Sequence, residues 1–148
     1  MCARYLAKGL AAMAVSVVLG GCSPSGAPLP PSAKLLEGLP AVTASVASAT
    51  GYPTEALEVL AGAAHLRVSV KDAKLATADQ ATRENAAIQI VAAIEKGIES
   101  RSEFSSIQEI SVAIIHPAEG GESAEDSHVE DVMQFRKAPS GRFVHHIT

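Results

Sequence analysis

Between His65 and His116 the hydrophobic period changes twice, and this restricts the chain to very few folds. Leu66, Val68 and Val70 alternate with Arg67, Ser69 and Lys71, the period of two expected of a half-buried strand. Ala87, Ile90, Val91, Ile94 and Ile98 then recur at helical spacing, with Arg83, Glu84, Gln89, Glu95, Lys96 and Glu99 on the remaining surface, which predicts an amphipathic helix over about 78–100. Thr77 and Gln80 match a capping box for its start, and Gly97 is a weak point near its end. From Ile107 to His116 the period of two returns, with Ile110, Val112 and Ile114 on one face and Ser111, Ala113 and Ile115 on the other. A strand, a long helix and a strand in this order predict a right-handed parallel crossover.

Two more strands are predicted after Pro117. Val129 to Lys137 places Met133 and Phe135 inward, Pro139-Ser140-Gly141 has turn chemistry, and Arg142 to Ile147 returns with Phe143 and Ile147 available for the core. One helix covering one face of about four strands makes an α+β two-layer sandwich of order β-α-β-β-β, with a mixed sheet. The outer face would carry Arg67, Ser69, Ser111, Gln134 and Arg136, as a sheet with antiparallel pairs allows. The same logic assigns the domain to residues 53–148. Pro53 to Ala61 reads as a short helix, because proline suits a first turn and Glu55 the positive end. Residues 41–50, rich in Ala, Ser, Thr and Val, have no clear period.

The amino-terminal part has a different character. Arg4 and Lys8 precede the uncharged apolar run Leu10–Leu19, and Gly20 and Gly21 lead into Cys22. A positive flank, a short apolar core and small residues before a cut are the parts of a secretory signal peptide. Ten apolar residues fall well short of the ~20 that span a bilayer. The tetrad Leu19-Gly20-Gly21-Cys22 resembles the lipobox of bacterial lipoprotein precursors, although Ala or Ser is commoner at the position of Gly20.

That resemblance covers the first 22 residues. It implies a signal peptide over 1–21, cleavage between Gly21 and Cys22, and a diacylglyceryl thioether on Cys22, often with a further acyl chain on the new amino group. One acyl chain binds a membrane marginally and two or more hold stably, so the lipid would be the anchor. Ser23 resembles the signal for passage to the outer membrane in enteric-type bacteria; with a single membrane the site would be the outer face of the cell membrane. Residues 22–52 contain Pro24, Pro28, Pro30 and Pro31 among Ser, Gly and Ala and read as a tether.

Charge and cysteine content exclude other roles. The chain has 12 Lys and Arg against 16 Asp and Glu. Glu119, Glu122, Glu125, Asp126, Glu130 and Asp131 fall in one stretch without an intervening Lys or Arg. Nucleic acid asks for clustered Lys and Arg, so it is not an expected partner; a membrane and an envelope protein are. With Cys2 removed and Cys22 lipidated, no thiol remains for a disulfide, a zinc ribbon or a nucleophile. No Gly-x-Ser-x-Gly elbow or phosphate loop occurs, so no catalytic set and no cofactor are expected. The acidic stretch lacks the spacing of an EF-hand.

Two weaker constellations stand out. His116, His128, His145 and Glu130 could converge on a metal ion or small ligand if the last strands pair suitably, since imidazole and carboxylate are the donors such ions take. Arg67 and Arg136, if on neighbouring strands, could hold an anion.

Overall fold

A computed structural model describes residues 29–117 and 128–147. The signal peptide expected over 1–21, Cys22 and the run from Glu119 to Asp126 lie outside these residues. The described chain forms a five-stranded mixed sheet whose strands lie side by side in chain order, β1 (Leu57–Ala61) first, with helices packed against one face. Strands β2 (His65–Lys71), β3 (Glu109–His116), β4 (His128–Lys137) and β5 (Phe143–His146) correspond to the four expected from the sequence. β2 and β3 are parallel, as the crossover requires; β3–β4 and β4–β5 are antiparallel.

The inward faces follow the period of two. Leu66, Val68, Val70, Ile110, Val112 and Ile114 are fully buried, and Met133 and Phe135 nearly so. The long helix α3 (Gln80–Ile98) buries Ala87, Ile90, Val91 and Ile94 against them. One tail detail departs from expectation. Phe143 packs partly on the core, whereas Ile147 is 84% exposed, because it follows the last paired residue, His146.

The expected cap moves by two residues. Asp79, not Thr77, caps α3, its carboxylate accepting from the Thr82 backbone N–H at 2.7 Å. Thr77 instead closes the short helix α2 (Ala73–Ala76), its hydroxyl donating to the Ala73 carbonyl at 2.9 Å. The Thr82 backbone N–H, then its hydroxyl, hold the Asp79 carboxyl below its ordinary value, with the Arg83 charge adding to the effect and desolvation opposing it. The folded value is below the unfolded one, so this stabilisation is complete above the ordinary carboxylate range. It is lost as pH falls through the depressed folded value. Urea melts taken downward from pH 6 should therefore lose less stability below about pH 4 in Asp79→Asn than in the wild type; equal losses would remove Asp79 from the account.

The largest correction concerns residues 33–61. Ala33–Thr50 is a helix, α1, in a stretch the sequence suggested was tether or unassigned. The Ser32 hydroxyl caps its start by accepting from Leu35 N–H at 3.2 Å, and Gly51 ends it at φ 79° with its N–H on the Ala47 carbonyl. Leu35, Gly38, Val42 and Val46 form one buried stripe. Pro40 and several Ser and Thr residues make its intrinsic helicity poor, so tertiary packing holds it. At the crossing with α3 a Cβ on Gly97 would lie 3.0 Å from Ser45 Oγ, and that hydroxyl donates to the Ala93 carbonyl. Gly97 is thus a close-approach position between two helices. The folded domain begins near Ser32 rather than at residue 53.

The short helix expected over 53–61 is also replaced. One 3-10 turn, Thr54–Ala56, leads into a fifth strand, β1 (Leu57–Ala61), antiparallel to β2. Nine residues are too few for an independent helix. Leu57 and Val59 instead alternate inward while Leu60 stays 52% exposed. Among the described residues no helix is long and apolar enough to cross a membrane.

Candidate metal centre

The end of the β3–β4 pair brings three of the four suspected ligands together. His116 is the last residue of β3 and His128 the first of β4, and they are direct register partners. Their rings stack with centroids 5.0 Å apart and planes 10° from parallel. His128 Nε2 lies 3.4 Å from Glu130 Oε2. One donor atom from each of His116, His128 and Glu130 falls within 4.8 Å of the others.

A β-bulge makes this convergence. Ile114 pairs with Asp131 and Ile115 with Val129, so Glu130 is the extra residue of β4. A bulge bends its strand and re-aims side chains. Of the two consecutive acids, Asp131 accepts from Arg83 Nε at 3.2 Å, docking β4 on α3, while Glu130 lies against His128. Arg83 also donates to the Ala78 carbonyl at 2.6 Å, which holds the start of α3 beside the bulge. Side-chain exposure is 62% for His128 and 35% for Glu130, and His116 is half-buried. The site opens to solvent.

His145 is not part of it. It pairs with Phe135 in the β4–β5 ladder and stacks on that ring at 5.0 Å, far along the strand from His128. Adjacent His146 points to the other face, as alternation requires.

The anion face does not assemble. β3 separates the strands of Arg67 and Arg136, and Arg136 Nε is paired with Glu109 Oε2 at 3.6 Å. Arg67 lies instead in the cross-strand row Leu60–Arg67–Ser111–Gln134–His146. Ser69 and Ser111 on this face are buried, at 3% and 5% exposure, because short side chains sit low between longer neighbours.

The sequence did not single out one cluster on this face. His65 Nε2 is 2.9 Å from Ser111 Oγ and 4.0 Å from Glu109 Oε1. Serine, histidine and a carboxylate suggest a hydrolytic relay, but there the acid holds one ring nitrogen and the serine the other. Here both approach Nε2, so the carboxylate competes with the serine instead of orienting the ring. The parallel register His65↔Glu109 and Arg67↔Ser111 was the one signal that could have revealed the cluster.

A broad groove opens between the end of α3 and the β4–β5 turn, lined in part by Lys96, Arg101, Phe104, Lys137, Arg142 and Phe143. Its charges are partly paired internally, Arg142 with Glu95 at 3.8 Å and Arg101 with Glu103 at 3.4 Å. The Glu95 carboxylate also accepts from Phe143 N–H at 2.6 Å, fastening β5 to α3. Compared with family models, with curated proteins and with solved structures, the chain matches none.

Proposed function

We propose that this chain is a lipid-anchored protein of the bacterial cell envelope, whose small α+β domain binds or supports an envelope partner without catalysing a reaction. The observation that carries the proposal is Leu19-Gly20-Gly21-Cys22, standing directly behind a ten-residue apolar run and a positive start. With α1 beginning at Ala33, only residues 23–32 separate the lipid-bearing cysteine from the fold. An extended chain spans at most ~3.6 Å per residue, so the domain is held within about 40 Å of the acyl-glyceryl group. That is a short leash, suited to a partner at or near the membrane surface. The acidic segment beyond Pro117 gives the domain a local negative charge that disfavours nucleic acid.

Fractionation of bacteria expressing the full chain tests the anchor. The wild type should sediment with membranes, resist a high-salt wash and dissolve in detergent, while Cys22→Ala should lose this behaviour. Wild-type protein in the soluble fraction, or salt release of both proteins alike, would overturn the proposal.

A further inference from the structure

The β3–β4 terminus has the donors, geometry and accessibility of a metal site, independently of whether Cys22 carries lipid. Two imidazoles and one carboxylate form a donor set of intermediate softness. Oxygen-seeking Ca²⁺ and Mg²⁺ prefer several carboxylate and carbonyl oxygens, whereas imidazole suits Zn²⁺, Ni²⁺ and Cu²⁺. Ligands about 2.0–2.1 Å from a tetrahedral ion lie roughly 3.3 Å from one another. The donors of His116, His128 and Glu130 are within 4.8 Å of one another, so side-chain rotation has to close up to about 1.5 Å. His128 and Glu130 are exposed enough to rotate without disturbing the core.

Backbone geometry supports the same reading. The one-residue register shift between Ile114 and Ile115 sets His128, rather than Val129, opposite His116, and Glu130 lies 3.4 Å from the His128 ring. Their contacts offer the fold little in return, since a solvent-exposed ion pair contributes only ~0–1 kcal/mol. We propose that His116, His128 and Glu130 bind one divalent transition-metal ion of the Zn²⁺, Ni²⁺ or Cu²⁺ type.

Calorimetric titration of Zn²⁺ into the purified mature protein, in chelator-free buffer at neutral pH, tests this directly. One equivalent should bind. His128→Ala and Glu130→Gln should each weaken binding by at least about ten-fold, since even a lost outer-sphere partner costs that much. His146→Ala, an exposed histidine on β5, should leave it unchanged. Because the ion binds the folded state, a hundred-fold excess over the dissociation constant should raise the melting midpoint by about 10 °C. The altered side chains are exposed, and circular dichroism of each variant verifies that the fold is retained. Absence of binding heat and of any melting shift in the wild type would overturn the proposal. So would undiminished binding in His128→Ala, an equal loss in His146→Ala, or tighter binding of Ca²⁺ than of Zn²⁺.

Discussion

Val46→Asp is expected to unfold the domain. Val46 has no solvent exposure and lies on α1, which packs mainly on α3 and also meets β1. A carboxylate there has to be buried unpaired, or neutralised, or α1 has to leave the core. The first is prohibitive and the others forfeit packing, so the loss should be at least about 4 kcal/mol. Small domains are stable by only ~5–15 kcal/mol in total. Ala44→Asp, two residues earlier on an exposed position of the same helix, should cost no more than about 1 kcal/mol, most of it helix propensity. Urea denaturation of the pair separates the two descriptions of residues 33–50. If Val46→Asp melts like the wild type, these residues are a tether after all and α1 does not belong to the core.

The second large effect comes from the contact between α1 and the turn after α3. A Cβ on Gly38 would lie 2.7 and 2.8 Å from Cε2 and Cζ of Phe104, and Phe104 is only 2% exposed. The ring therefore lies directly on the helix backbone. Phe104→Ala should cost about 3–5 kcal/mol through lost burial and the cavity left behind. Gly38→Ala should cost ~1–2 kcal/mol, because overpacking exceeds the ~1 kcal/mol that alanine gains over glycine in a helix. In the Phe104→Ala background only the Glu103 Oε1 contact at 3.3 Å remains, at the end of a flexible side chain that can give way, and Gly38→Ala should become stabilising by up to about 1 kcal/mol. This change of sign is a double-mutant-cycle signature of direct contact. Additive effects would show that glycine is not required by the ring.

Where one face of an element is strongly apolar, its type and place are legible in this sequence. The β2–α3–β3 unit is the clearest case: three alternating residues, a helical stripe and three more alternating residues specify a parallel crossover, and Leu66, Ile90 and Ile110 are buried accordingly. Residues 33–61 were illegible for a physical reason. The buried stripe of α1 includes a glycine, Gly38, and the exposed Pro40 stands within the same helix, so its period is visible only once Phe104 and α3 supply the other side of the contact. β1 is equally dependent on context, because Pro53 and Glu55 are as compatible with a helix start as with the 3-10 turn they form. Asp79 displaced Thr77 as the cap because α2 had already claimed the Thr77 hydroxyl.

The candidate site was half legible. His116, His128 and Glu130 were suspected from residue type, and the register brought them together. His145 was misplaced because its convergence depended on how β4 and β5 pair, and the actual register seats it on Phe135. The bulge that sets His128 opposite His116 has no local sequence mark: neither glycine nor proline lies between Val129 and Lys137. Arg67 and Arg136 were separated by the intervening β3, which only the strand order could reveal.

The anchor at Cys22 is the claim on which the proposed function rests, and intact mass of the membrane-extracted protein measures it most directly. A mature chain beginning at Cys22 and carrying diacylglycerol, with Cys22→Ala unlipidated, is the expected result. An unmodified Cys22 thiol in the wild-type protein would contradict it and leave the α+β domain without its membrane.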